Sequence, residues 1–81
     1  MAKTIQEKFG ERVKELRTEK KISQEKLGNI ANIDRTYMNS LENGRRNVSL
    51  VNVEKILNAL DADFSEFFDS EIFKTPKRKR K

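Results

Sequence analysis

The sequence has no cysteine and no histidine, and its 81 residues include only three glycines and one proline. Without cysteine the chain has no disulfide, no thiol nucleophile and no thiolate ligand for a metal ion. Without histidine it lacks the commonest general base and the commonest metal ligand. The few glycines form no glycine-rich phosphate loop. We therefore expect no enzymatic activity, no cofactor and no metal site.

Long apolar stretches are also absent. No segment has the apolar run of a signal peptide, and none is long enough to span a membrane. The expected location is therefore the cytoplasm, with no membrane partner. A chain of 81 residues fits one domain. Because so small a core is only marginally stable alone, a partner subunit would add stability.

The net charge of +5 hides three regions of different sign. Residues 1–47 carry eleven basic and seven acidic side chains, whereas residues 48–73 carry one basic and six acidic ones. The other six basic side chains lie in residues 74–81. This polarity, rather than the overall charge, indicates a basic half that faces a polyanion, an acidic half and a short basic tail.

Apolar residues recur at helical spacing along the body of the chain. Ile5, Phe9, Val13 and Leu16 follow one another at steps of four, four and three, and residues 50–60 show a similar pattern. No segment shows sustained alternation of apolar and polar residues, so we expect no strands. The predicted fold is all-α, a five-helix bundle with helices near residues 5–20, 24–31, 35–43, 50–60 and 64–73.

Helix starts are marked by residues whose short side chains can accept a free backbone N–H. The predicted N-caps are Thr4, Ser23, Asp34, Ser49 and Asp63. Thr4 and Asp63 are each followed three residues later by glutamate, the spacing of a capping box. Gly44 follows the predicted third helix, where a left-handed residue would end it.

Two glycines, Gly10 and Gly28, lie inside predicted helices, where glycine costs roughly 1 kcal/mol relative to alanine. Close contact between helices would explain either one. For Gly10, a tolerated surface glycine explains the sequence equally well.

Residues 23–44, SQEKLGNIANIDRTYMNSLENG, predict two short helices joined by a tight corner at residues 32–34. Asn32 stands where the chain leaves the first helix, and asparagine tolerates the left-handed conformation better than most residues. Ile33 is then expected to fill the angle between the helices. Such a pair is a helix-turn-helix, whose second helix enters the major groove of DNA.

The second of these helices has an apolar side and a polar side. Met38 and Leu41 define the inner side. The outward side carries Arg35, Thr36, Asn39, Ser40 and Asn43. Because arginine can bind O6 and N7 of guanine and asparagine can pair with adenine, the predicted base contacts are Arg35, Thr36 and then Asn39. Gln24, at the start of the first helix, is predicted to meet a phosphate.

Structural explanations compete at several of these positions. Arg35 could be a solvated surface residue, and Asn39 could lie outside the groove. Tyr37 could simply pack on the preceding helix. Glu42 is expected to be structural, paired with a basic residue.

The helix-turn-helix residues resemble those of phage repressors and Cro proteins, the large XRE-like family. That resemblance rests on Gln24, Leu27, Ile33, Met38, Leu41, Glu42, Asn43 and Gly44. The longer run IDRTYMNSLENGRRNVSL is more specific, because it resembles the controller proteins of type II restriction–modification systems. The resemblance extends over roughly residues 5–70. It implies a lambda-repressor-like domain, here residues 1–73, that binds DNA and dimerises.

The same resemblance implies roles for individual residues. In that family the D-R-T-Y stretch supplies operator contacts, here Arg35, Thr36 and Tyr37, with Tyr37 at the minor groove or flank. The basic R-x-N places Arg46 and Asn47 at the phosphate backbone. The predicted backbone contacts are completed by Arg17, Gln24, Ser40 and Asn43.

Controllers of this family bind operator repeats cooperatively, activating at low occupancy and repressing their own promoter at high occupancy. The resemblance therefore implies double-stranded operator DNA as partner, control of the chain's own gene and an endonuclease gene, and RNA polymerase as a further candidate partner. A phage-type repressor or an antitoxin with the same fold is the nearest alternative. A protein-interaction module that binds no DNA is a more distant one.

Large apolar residues crowd the predicted fifth helix: Phe64, Phe67, Phe68, Ile72 and Phe73. They exceed what a short terminal helix usually buries by itself, so Phe64, Phe67, Phe68 and Ile72, together with Leu50, are predicted to form a homodimer interface. Acidic side chains around them would keep this end away from DNA. A dimer would place two recognition helices one DNA turn, about 34 Å, apart on a two-fold symmetric operator.

The basic tail, residues 74–81 with the sequence KTPKRKRK, is predicted to be disordered. It resembles a nuclear localisation signal, but the bacterial character of the rest argues against that role, and it could also be a remnant of cloning. The interpretation we favour is a flexible arm that attracts DNA phosphates without sequence preference.

Overall fold

The computed structural model describes residues 2–74. They form five α-helices and a C-terminal 3-10 helix: α1 (Ile5–Glu19), α2 (Gln24–Ala31), α3 (Arg35–Glu42), α4 (Leu50–Ala59), α5 (Phe64–Phe68) and the 3-10 helix Glu71–Phe73. No strand occurs within residues 2–74. The predicted all-α, five-helix fold is confirmed.

Each α-helix begins directly after the residue predicted to cap it. The Oγ1 atom of Thr4 accepts a hydrogen bond from the Glu7 backbone N–H at 3.1 Å, and the Glu7 carboxylate accepts one from the Thr4 N–H at 2.8 Å. The other capping side chains belong to Ser23, Asp34, Ser49 and Asp63. Each such cap stabilises its helix by about 1 kcal/mol.

Left-handed residues turn the chain between successive helices. Asn32 (φ 59°) and Gly44 (φ 76°) adopt this conformation, as the sequence predicts. Lys21 and Asp61, both with φ 57°, do so as well, although the sequence gives no sign of it. Each of these two is followed by an apolar residue, Ile22 or Ala62, whose N–H closes the turn on a carbonyl five residues earlier.

The core draws on all five α-helices. Its fully buried side chains are Val13, Leu27, Met38, Leu41, Ile56, Leu57, Leu60 and Phe67. Gly10, also buried, lies where α1 crosses α3, and a Cβ at this position would overlap the carbonyl oxygen of Leu41. Close helix contact therefore explains this glycine, and the surface alternative is wrong.

The fifth helix is shorter than the sequence predicts. A single helix over residues 64–73 is wrong, because α5 ends at Phe68 and a separate 3-10 turn follows. Ser70 is extended and its hydroxyl accepts from the Ile72 N–H, a local bond that competes with helix continuation. The carbonyls of Glu66 and Phe67 instead accept hydrogen bonds from the Arg12 guanidinium at 3.1 and 2.8 Å.

Candidate nucleic-acid interface

The corner between α2 and α3 is fixed by backbone geometry and one carboxylate. Asn32 reverses the chain, and the N–H of Ile33 then donates to the carbonyl of Gly28 at 2.8 Å. An Asp34 carboxylate oxygen accepts from the backbone N–H groups of Thr36 and Tyr37 at 2.9 and 3.2 Å. The free N–H groups in the first turn of α3 are therefore capped by the Asp34 side chain.

Helix α3 has a buried side and an exposed side, as the sequence predicts. Met38 and Leu41 are at most 1 % exposed, and Glu42 is also buried. Arg35, Thr36, Asn39 and Asn43 are exposed, and Ser40 is half-buried. The predicted base-contacting residues thus share an accessible side of one rigid, capped helix.

A buried ion pair lies behind this surface. The Arg17 guanidinium donates to both carboxylate oxygens of Glu42, at 2.7 and 3.0 Å, and to the Ile22 carbonyl at 2.8 Å. The two charged side chains are only 14 % and 2 % exposed. This arrangement uses three of the five guanidinium N–H donors of Arg17, so its predicted backbone contact stays a prediction. It also supplies the basic partner expected for Glu42.

Gln24 connects the ion pair to the outer side of α3. Its Nε2 donates to Glu42 at 3.0 Å, and its Oε1 accepts from Nδ2 of Asn39 at 3.1 Å. The side chain of Asn43 donates to the backbone carbonyl of Asn39 at 3.0 Å. A second Nε2 hydrogen of Gln24 takes no part in the bond to Glu42, so its phosphate contact stays a prediction.

The loop after α3 is held against the start of that helix. The guanidinium of Arg46 stacks on the half-buried Tyr37 ring, whose hydroxyl lies 3.5 Å from Nδ2 of Asn52 on α4. Tyr37 therefore binds the loop and α4 rather than serving only as packing for α2. Arg46 and Asn47 are exposed. Through these contacts the N-terminus of α2, the outer side of α3 and the following loop form one continuous surface.

The corner and its supporting core are those of a known family. Residues 13–67 match the family model described as helix-turn-helix. The chain is 51 % identical over 65 residues to the control protein C.MunI of a Mycoplasma species, covering 79 % of this chain and 88 % of that protein. The chain belongs to the helix-turn-helix family of controller proteins.

Two solved structures of this family have the same architecture. The restriction–modification controller protein C.AhdI from Aeromonas hydrophila is 48 % identical, with a TM-score of 0.76 over 79 % of this chain and 97 % of that chain. C.Esp1396I, solved bound to a 25 base pair operator site, is 31 % identical, with a TM-score of 0.77 over 83 % of this chain and 88 % of that chain. The present chain therefore corresponds to nearly the full length of these controllers.

A second surface of this controller-family chain is apolar. Leu50 and Val51, in the first turn of α4, are 80 % and 62 % exposed, and Ile5 on α1 is 62 % exposed. Phe64 and Phe68 on α5 are also exposed. A cleft of about 150 Å³ between these helices is lined by Ile5, Gln6, Phe9, Val53 and Phe68 and by three residues of the loop after α3, Arg46, Asn47 and Val48.

The predicted interface needs one correction on this surface. Phe67 is 0 % exposed because it packs inside the chain against Phe9, with ring centres 5.3 Å apart, so it offers no area to a partner. Ile72 is half-buried. The sequence pattern does not assign Ile5 and Val51 to this exposed apolar surface. Their spacing along a helix does not show whether another helix covers them.

Residues 2–74 contain neither a candidate metal site nor a candidate membrane-spanning helix. No group of three or more carboxylates comes together there in a way that could hold a metal ion. In the same range, no helix combines the length and the apolar character needed to cross a membrane. Within the predicted 74–81 tail, residues 75–81 lie outside the described residues.

Proposed function

We propose that this chain is a dimeric transcription regulator that binds operator DNA of a restriction–modification system in a sequence-specific way. The observation that carries the proposal is the capped helix α3, which exposes Arg35, Thr36 and Asn39 on one side while Met38 and Leu41 fix the other in the core. The likeness to C.Esp1396I, solved bound to a 25 base pair operator site, supports operator binding by this chain.

The first turn of α3 supplies the base contacts. Residues near the N-terminus of a recognition helix reach base edges first, which favours Arg35 and Thr36. Arginine binds guanine through O6 and N7, threonine contacts either a polar edge or the thymine methyl group, and Asn39 follows one turn later. These contacts set which sequence is bound.

The surroundings of α3 supply the backbone contacts. Arg46 and Asn47 are exposed in the loop after the helix, and Gln24 lies at the start of α2 where free N–H groups favour an anion. Ser40 and Asn43 flank the base-contacting side. Tyr37, with Arg46 stacked on it, lies at the edge of the groove. Such contacts fix the register of the protein on the duplex without selecting a sequence.

A second copy of the chain covers the exposed apolar residues of α4 and α5. Leu50, Val51, Phe64 and Phe68 are exposed and belong to residues 48–73, the part of the chain with an excess of acidic groups. Burying them in a two-fold interface stabilises a small core and presents two copies of α3 to successive turns of one DNA face. The tail 74–81 adds a salt-dependent attraction to phosphates.

Regulation follows from occupancy of operator repeats. At low occupancy the bound dimer activates transcription through a contact with RNA polymerase, and at high occupancy it represses its own promoter. The regulated genes are its own and that of the endonuclease. The protein acts in the bacterial cytoplasm, where its DNA target is located.

Selection of bound DNA from a random duplex pool tests this function. The expected product is one symmetric motif, with two half-sites whose centres are about 10 base pairs apart. A non-symmetric motif would contradict binding as a two-fold symmetric dimer. The absence of any enriched sequence would favour the alternative, a protein-interaction module that binds no DNA.

A further inference from the structure

A line of hydrogen bonds runs from the buried ion pair to the solvent side of α3. We call the three side chains that carry it, Glu42, Gln24 and Asn39, the polar relay. Glu42 is 8 % exposed, Gln24 is half-buried and Asn39 is exposed, so the relay crosses from the interior to the surface. The two bonds that join its members measure 3.0 and 3.1 Å.

The direction of every bond in the relay is set at its buried end. The Arg17 guanidinium has only donors, and it engages both oxygens of Glu42, which acts as an acceptor. The amide of Gln24 must therefore present its Nε2 to Glu42. In the flipped orientation its Oε1 would face the Glu42 carboxylate oxygen, and two acceptors would lie at hydrogen-bond distance with no proton between them. Its Oε1 then faces Asn39, so Asn39 must present Nδ2.

The outer end of the relay is consequently polarised. With Nδ2 of Asn39 directed to Gln24, the Oδ1 atom of Asn39 is left for other contacts. The Nδ2 atom of Asn43 lies 3.4 Å from this oxygen, but bonds more closely, at 3.0 Å, to the backbone carbonyl of the same residue. An amide that could rotate freely in solvent is thus held with Nδ2 toward Gln24, which leaves Oδ1 as the atom that can accept from a base.

We propose that Glu42, acting through Gln24, is a specificity-determining residue that never touches DNA. It fixes Asn39 with Oδ1 toward the groove. An acceptor at that point selects a base with an exocyclic amine, adenine N6 or cytosine N4, and opposes the guanine O6 and thymine O4 oxygens. The second Nδ2 hydrogen can still reach adenine N7, so adenine is preferred over cytosine. The inference rests on the proposed function, since it requires α3 to lie in the major groove.

The test compares base preference, not total affinity, in variants of the relay. Four operators are prepared that differ only at the base pair whose recognition is abolished in Asn39→Ala. Gln24→Met removes both relay bonds with an isosteric side chain and leaves the ion pair between Arg17 and Glu42 intact. Asn29→Leu makes the same kind of replacement at an exposed amide of the same helix and is the control.

The unmodified protein is expected to prefer adenine or cytosine over guanine or thymine at this position by about fivefold to a hundredfold, the range of one good base contact. In Gln24→Met the ratio falls towards one, because both amide orientations of Asn39 become available. Asn29→Leu keeps the ratio of the unmodified protein. Glu42→Gln, whose amide can donate or accept, relaxes the preference in the same way if circular dichroism shows that the variant is folded.

Three results would overturn the inference. In the first, Gln24→Met keeps the full preference that Asn39→Ala abolishes. In the second, the preferred base at the position of Asn39 is guanine or thymine. In the third, Asn39→Ala changes no base preference at all. Each of these leaves the proposed function standing as long as other operator positions are still discriminated. Failure of the proposed function would instead appear as the absence of discrimination at every position.

Discussion

The guanidinium carbon of Arg46 lies 4.8 Å from the centre of the Tyr37 ring. The exposed arginine of the loop is therefore placed beside the first turn of α3, next to the predicted base contacts. An exposed cation–π pair of this kind contributes about 0.5–1 kcal/mol. Its main consequence is that the Arg46 side chain is already ordered before DNA binds. Less conformational entropy is then lost when the guanidinium meets a phosphate.

Replacement of the ring tests this placement. Tyr37→Leu is expected to weaken operator binding by about two- to fivefold, the affinity equivalent of one exposed cation–π pair. Tyr37→Phe retains the ring and is expected to stay close to the unmodified protein, since the hydroxyl makes only a long contact of 3.5 Å with Asn52. Fluorescence anisotropy with a labelled operator at fixed salt measures both. An equal loss in the two variants would assign the effect to the hydroxyl instead of the ring.

The buried ion pair gives a prediction about stability. Glu42→Ala leaves Arg17 buried without its carboxylate and is expected to lower the free energy of unfolding by about 3–5 kcal/mol. Arg17→Met combined with Glu42→Leu removes both charges and is expected to recover most of that loss. Urea unfolding followed by circular dichroism gives both values. A double variant less stable than Glu42→Ala would contradict this expectation. It would show that the ion pair stabilises the fold by more than the two charges cost when one is left without its partner.

The exposed apolar surface gives a prediction about assembly. Leu50 is 80 % exposed in the single chain, so Leu50→Asp removes little packing from the monomer. It is expected to shift the protein from dimer to monomer in sedimentation equilibrium at micromolar concentration, because a carboxylate is costly to bury in an apolar interface. The matched control is Ile30→Asp, at an apolar residue of α2 that is 52 % exposed and lies outside the proposed interface. A monomer in the control and a dimer in Leu50→Asp would place the interface elsewhere.

The basic tail gives a prediction about salt dependence. Deletion of residues 74–81 is expected to flatten the plot of log binding constant against log salt, by about 0.9 for each phosphate that the tail would otherwise neutralise. A tail of the same length with its lysines and arginines changed to glutamine should behave like the deletion. An unchanged slope in both variants would leave the tail without a role at DNA.

Local chemistry made much of the fold predictable. Thr4, Ser23 and Ser49 cap helices through bonds to N–H groups three residues away, and a signal confined to so few residues is visible in the sequence. The left-handed conformation of Asn32 and Gly44 was foreseeable for the same reason. Lys21 and Asp61 adopt it too, but neither residue type marks that conformation clearly, since the closing contacts rather than the side chain select it.

Features that depend on distant contacts were harder to predict. The pairing of Arg17 with Glu42 joins residues 25 positions apart, so the sequence predicted a basic partner for Glu42 without identifying Arg17 as that partner. Phe67 and Phe68 are neighbours with similar local patterns, yet only the first fits the space beside Phe9 completely. Which aromatic residue remains available to a partner is therefore decided by tertiary packing.

The operator affinity of Arg35→Ala combined with Thr36→Ala tests most directly whether the outer side of α3 contacts bases. At fixed salt the pair is expected to weaken specific binding by at least about tenfold, since a good base contact contributes about 1–3 kcal/mol. Thr18→Ala with Lys55→Ala removes the same charge and hydroxyl from exposed positions on α1 and α4, and is expected to change affinity by less than about threefold, as surface substitutions usually do. Unchanged affinity in the α3 variant, or an equal loss in both, would contradict recognition through α3.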